Sequence, residues 1–442
     1  MSWQPRTTAG GIVTLASLAL VGLLVGKPFV ESDTWELIQG ADGLLRCLAY
    51  GAADGCPTAG KFAPLQLLIA VPLRALDVPH PWVGRVLAWL SAAAFLGLLR
   101  LTWVLLAPRS RRVALGAGAL LISGLPLHFA THSFVELPAA FLMAWLAVGW
   151  LTGRAGTVGV AALLAALTKE TAAPFIVLLL AVCAVVAPHP RRQALRLGAH
   201  AAVGLGVAVA LSAALNVYRF GGPLNTMYAT EASWGPDTAV WLRTWAALWL
   251  APNGGLVFFF PGLVALLVAL PWAVGPDRRW APGLAVFGLL LAVTAALAHW
   301  WAPFGWWCFG QRLSVPFLPV AVLLLCVSYG SAYERALGAL TATPARRSGT
   351  AVVVAVLGLP FVASLVHGGD IIYDTFTYGP GCGLPDTEAT RAPYYACIAR
   401  QAWDQPSPLL RAASHLPQPG VLPWAIAYVC LIGGVARVRD DR

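Results

Sequence analysis

The chain is constrained most by a recurring pattern: long apolar runs without a single charged residue, at 13–25, 201–215, 281–298 and 351–366. A helix rises 1.5 Å per residue, so about 20 apolar residues cross the roughly 30 Å of hydrocarbon in a bilayer, and these runs approach that length. Several such segments in one chain exclude a secreted soluble product. With 59% hydrophobic and 11% charged residues, and a mean hydropathy of +0.73, the 442 residues cannot cover themselves with polar surface as a soluble protein does. The expected class is an all-α polytopic membrane protein of about a dozen transmembrane helices.

A net charge of +10 would point to nucleic acid in a soluble chain, but the arginines here fall in short clusters between apolar runs. The clusters are Arg109, Arg111 and Arg112; Arg154; Arg191, Arg192 and Arg196; Arg278 and Arg279; Arg346 and Arg347; and Arg437, Arg439 and Arg442. If all are cytoplasmic, the stretches between them cross in pairs and the positive-inside rule holds throughout, so no nucleic-acid partner is expected. The expected spans are then 9–29, 81–107, 113–130, 137–153, 157–168, 171–187, 197–217, 255–274, 281–299, 313–333, 349–366 and 421–436, with both termini cytoplasmic. The first reads as an uncleaved helix, because no small-residue cleavage site precedes the acidic stretch from Glu31. Segment 62–76 is short and carries Pro64 and Pro72, so it is expected to lie at or dip into the outer interface. Three parts result: a transmembrane domain at 1–366, an extracytoplasmic loop at 367–420, and a last helix with a cytoplasmic tail at 421–442.

The outer segments on this topology collect acidic residues, and Trp300, Trp301, Trp306 and Trp307 crowd one edge as an aromatic belt does. Cys47 and Cys56 share the first outer loop, and Cys382 and Cys397 share the last. Same-loop pairs in an oxidising compartment point to disulfides Cys47–Cys56 and Cys382–Cys397, although sequence does not prove connectivity. Neither pair has close zinc-ligand spacing with nearby histidines. Cys183, Cys326 and Cys430 lie in expected spans, as apolar packing.

Two signals carry chemistry. Glu31-Ser32-Asp33 follows the first span directly, with Glu36 close behind. Two carboxylates at that spacing can hold a divalent cation, or one can act as a general base while the other tunes it. The alternative is a helix start, with Asp33 as cap and Glu36 completing a capping box. The second signal is cationic. Lysine occurs only at Lys27, Lys61 and Lys169, and Arg312 ends Phe309-Gly310-Gln311-Arg312 just before a span. Cations at this depth suit a phosphate just below the headgroups, as on a lipid-linked substrate, whereas snorkelling explains each one singly. Lys169 and Glu170 interrupt an apolar run, where ionisable residues tend to be functional or paired.

Several elements in order then resemble the glycosyltransferase C superfamily. They are the acidic pair after the first helix, Lys61-Phe62-Ala63-Pro64-Leu65, Arg85 early in the next span, Glu136 in Phe134-Val135-Glu136-Leu137-Pro138, and Thr168-Lys169. The nearest branch resembles protein O-mannosyltransferases and the lipid A aminoarabinose transferase. Tyr218-Arg219-Phe220-Gly221-Gly222-Pro223, Ala251-Pro252-Asn253-Gly254-Gly255-Leu256 and Phe309-Gly310-Gln311-Arg312 with Pro316 and Pro319 are similar to a pattern in bacterial members. The resemblance implies a membrane glycosyltransferase that moves a sugar from a polyprenyl-phosphate donor, with inversion, to a glycan, lipid or protein acceptor at the outer face of a bacterial plasma membrane. It makes Asp33 the base, Glu31 and Glu136 its assistants by metal or hydrogen bond, and Lys61, Arg85, Lys169 and Arg312 the phosphate contacts. A divalent cation, Mg2+ or Mn2+, would sit at Glu31 and Asp33. The chain departs from the branch at Phe62-Ala63, where proline is common after the lysine, and in its short outer C-terminal segment. A transporter or lipid flippase is the rival; it should show matching broken spans in two halves and ionisable groups at the midplane, whereas here the polar residues gather at one face.

Overall fold

The computed structural model describes residues 17–26, 28, 30, 32–50, 62–169, 172–225, 235–274, 280–300, 302–305, 309–375, 382 and 388–437. Among them no strand forms, and the chain is an all-helical, multi-pass membrane protein. In chain order the helices are α1 (Ser17–Gly26), α2 (Ser32–Tyr50), α3 (Pro64–Ala75), α4 (His80–Leu106), α5 (Arg111–Ile122), α6 (Leu125–His128), α7 (Glu136–Leu151), α8 (Ala155–Thr168), α9 (Ala173–Val186) and α10 (Arg191–Phe220). The second half holds α11 (Thr238–Leu250), α12 (Leu256–Phe259), α13 (Pro261–Val268), α14 (Leu270–Ala273), α15 (Trp280–Ala298), α16 (Leu318–Leu340), α17 (Pro344–Thr375), α18 (Glu388–Asp404), α19 (Pro408–Ser414) and α20 (Leu422–Arg437). Short 3-10 turns at Phe129–Thr131 and Arg312–Phe317 follow α6 and precede α16.

Among the described residues, five helical stretches are long and apolar enough to cross a bilayer, or six if the bent pair Arg111–Ile122 and Leu125–Thr131 counts as one span. Several of the other expected spans are short or broken, for physical reasons. The 113–130 stretch turns through 62° after Ser123-Gly124 instead of running straight. The 255–274 stretch is divided into α12, α13 and α14, the last two with a proline in their first two positions, Pro261 and Pro271, that cannot continue the preceding helix. Helices α7, α8 and α9 have 16, 14 and 14 residues, so α8 is only about 21 Å long. The outer C-terminal segment, expected as loop, contains α18 and α19.

Lipid tails are as apolar as leucine, so helices in a bilayer associate through close packing more than through the hydrophobic effect. The α8–α10 contact shows this. Small residues on α8, Ala161, Ala162 and Ala165, are fully buried, and a β-carbon at Gly204 of α10 would strike the carbonyl of Gly159. The arginine clusters sit at one set of helix ends: Arg111 opens α5, Arg154 precedes α8 and Arg191 opens α10. Because α8 runs from Arg154 to Thr168, the residue after it, Lys169, lies at the other end of the bundle. Glu136 at the start of α7 and the Arg312 turn before α16 come to that same end.

Candidate functional site

Four separate elements deliver one ionic cluster. Asp33 lies in the first turn of α2, Glu136 opens α7, Lys169 follows the last turn of α8, and Arg312 begins the 3-10 turn leading into α16. Arg312 Nη2 stands 2.9 Å from Asp33 Oδ2, and its Nε stands 3.4 Å from Glu136 Oε1. Lys169 Nζ reaches the same Glu136 oxygen at 3.3 Å. One buried carboxylate is therefore shared by two cations, and the second carboxylate is the more open: the Asp33 side chain is 30% exposed against 3% for Glu136. The other Glu136 oxygen, Oε2, is buried and has no hydrogen-bond partner among the described residues.

The surroundings hold these groups in place. The Arg312 guanidinium lies over the Phe134 ring, 3.9 Å from its centroid, and its backbone N–H donates to the Phe304 carbonyl at 2.9 Å. Stacking leaves the guanidinium edge, with its N–H groups, free to meet oxygens in the plane. Gln311 donates to the Leu248 carbonyl at 2.7 Å, and Gly310 takes φ +69° with the Phe259 ring where a β-carbon would go, so this turn requires glycine twice over. The start of α2 is tied to the approach to α7 by a 2.5 Å bond between the Thr34 and Ser133 hydroxyls, and Ser91 of α4 donates to the Phe134 carbonyl at 2.9 Å. Asp33 therefore lies inside the helix, engaged with Arg312, and is not the residue preceding it.

Around this cluster α3 is fixed from two sides. Arg219, fully buried, donates to the Phe62 carbonyl at 2.7 Å and to Asn216 at 2.5 Å, and Gln66 donates to the Thr168 carbonyl at 3.2 Å, next to Lys169. At the far end of α3, Arg74 and His80 both meet Asp42, at 2.7 and 3.0 Å.

Of the residues marked in the sequence, Asp33, Glu136, Lys169 and Arg312 come together. Arg85 is exposed, its guanidinium 4.5 Å from the centre of the Trp82 ring, and no described contact joins it to the cluster. Glu31, Lys61, Cys56 and Glu170 lie outside the described residues. Cys47 is disulfide-bonded, and Cys382 and Cys397 are joined with an S–S distance of 2.06 Å. Among the described residues no three His, Cys, Asp or Glu side chains gather as metal ligands. The charged group shown against Asp33 is a cation, Arg312, which suits an anion better than a second cation, and Glu31, the other residue of the metal expectation, lies outside the described residues. Phe134, Ser133 and Thr34 escaped the sequence reading as site residues. So did His128 and His132, fully buried with ring centres 4.1 Å apart, the first bonded to Ser364 at 2.8 Å. An aromatic or hydroxyl side chain in an apolar chain carries no signal of its own.

Fold and site together define a multi-pass helical membrane protein with an ionic cluster at one end of its bundle. No family model matches the chain, and no curated protein does. Among solved structures it is similar to ArnT from Cupriavidus metallidurans in the apo state, with a TM-score of 0.50 and 15% identity over 98% of this chain and 78% of that one. The structure of the same protein bound to undecaprenyl phosphate also matches, with a TM-score of 0.46 and 12% identity over the same shares. At this identity the likeness is one of fold.

Proposed function

We propose that this protein is a membrane glycosyltransferase that moves a sugar from a polyprenyl-phosphate donor to a hydroxyl acceptor at the extracytoplasmic face. The observation that carries the proposal is a partly exposed carboxylate, Asp33, paired with Arg312, which shares the buried counter-charge Glu136 with a second cation, Lys169. Cations with a planar N–H edge suit a phosphate, and a carboxylate beside them suits a base.

In this reaction the acceptor oxygen forms a bond to the anomeric carbon as the carbon–oxygen bond to the phosphate breaks. The electron pair leaves with the polyprenyl phosphate, and the acceptor proton passes to Asp33. Attack opposite the leaving group inverts the anomeric centre. Arg312 and Lys169 offset the charge growing on the departing phosphate, an interaction strengthened where water is scarce. The extracytoplasmic placement is supported by the position of the cluster at the helix ends opposite Arg111, Arg154 and Arg191.

Incubation of the purified protein with a panel of radiolabelled polyprenyl-phosphate sugars tests the proposal, with consumption of one donor expected. Asp33→Asn should abolish transfer while expression and membrane insertion stay intact; normal transfer by that variant removes Asp33 as the base. Running the panel with and without EDTA tests the divalent cation, since transfer retained in EDTA assigns charge neutralisation to Arg312 and Lys169.

A further inference from the structure

The two groups proposed for opposite halves of the reaction touch each other. Asp33 Oδ2 accepts from Arg312 Nη2 at 2.9 Å, so in this arrangement the oxygen that should meet an acceptor hydroxyl is turned to the guanidinium. The same contact fills the edge of Arg312 that should meet a phosphate. The pair therefore competes with both proposed roles.

The surrounding contacts decide which partner moves. Arg312 is fixed by the Phe134 ring at 3.9 Å, by Glu136 at 3.4 Å and by its backbone bond to Phe304. Glu136 is buried and held by Lys169 as well. Asp33, 30% exposed, is the most open end of the chain of charges, and the more solvent reaches an ion pair the less it contributes. A phosphate, with more charge and more acceptor oxygens than a carboxylate, competes for the guanidinium edge directly.

We propose that the phosphate of the lipid donor displaces Asp33 from Arg312, so that donor binding releases the base and precedes productive acceptor binding. This rests on the proposed function. It adds that the ligand-free protein holds its own base in reserve, which orders the two substrates. The proton, the sugar and the leaving phosphate follow the course given above; what changes is that Asp33 is available only when Arg312 and Lys169 are engaged by phosphate.

The test measures binding of a polyprenyl phosphate without its sugar, which cannot turn over, to the purified full-length protein. Asp33→Asn should tighten binding roughly two- to fivefold by removing the internal competitor. Arg312→Ala should weaken it, and adding Asp33→Asn to Arg312→Ala should have no further effect, with Arg312→Lys as the second background if the alanine protein is not recovered. Two results overturn the inference alone: affinity unchanged by Asp33→Asn, or an equal gain with and without Arg312, which would mean simple repulsion between Asp33 and phosphate. Wild-type protein that binds no polyprenyl phosphate overturns the donor assignment together with it.

Discussion

Phe134 gives Arg312 a partner that brings no charge to compete with a phosphate. Its ring covers one face of the guanidinium at 3.9 Å, while the carboxylates meet the edge. A partly desolvated cation–π contact contributes about 0.5–2 kcal/mol. Phe134→Ala should therefore raise the donor KM roughly two- to thirtyfold, with Phe134→Trp close to wild type, as initial-rate kinetics over a donor series would show. An alanine variant with unaltered donor KM would separate the ring from donor binding. Glu136 works in the opposite sense, as the anion that lets Lys169 and Arg312 stand close together in a buried place. The four ionic residues were visible in the sequence because a charge within an apolar run is conspicuous. Their pairing was not, because 33, 136, 169 and 312 are distant in the chain and only the fold brings them to one end. Arg85 shows the limit of motif order: it matches the pattern, yet it lies against Trp82.

At the scale of helices, α8 ties the site to the bundle. It carries Lys169 just past its end and packs so closely on α10 that Gly204 has the Gly159 carbonyl in the place of a side chain. Forcing branched carbons into such a contact costs about 1–3 kcal/mol. Gly204→Val should lower the melting temperature of the purified protein and, by shifting the end of α8, weaken donor binding. A variant with an unchanged melting temperature would show that α8 and α10 are not held by this approach. Helices α4, α10 and α15 follow the apolar runs because nothing in those runs interrupts them. The broken stretches carry their cause in plain view, Pro261 and Pro271 in one and Gly124 in the other, but hydropathy averages over such breaks. The turn at Gly310 belongs with these, since only the structure shows the Phe259 ring that excludes a side chain there.

Across the whole molecule, the separation of arginine clusters from the ionic cluster by the length of α8 gives the protein two unlike ends. That length also sets a depth. A helix of 14 residues spans about 21 Å of a hydrocarbon layer roughly 30 Å thick, so with Arg154 at one boundary of that layer a cluster at the other end of α8 would lie below the level at which lipid headgroups meet water. A lipid-borne phosphate is already near that level, whereas a hydroxyl on a folded, water-soluble surface would have to descend to it. The protein should accordingly glycosylate acceptors presented on a lipid or on a slender, extended chain, and leave hydroxyls on compact domains untouched. Offering the same hydroxyl on a short free peptide or lipid and on a rigid folded carrier, and comparing transfer, measures this directly. On the proposed function, such a recess would turn a vertical distance of a few ångströms into a rule about which molecules can reach Asp33.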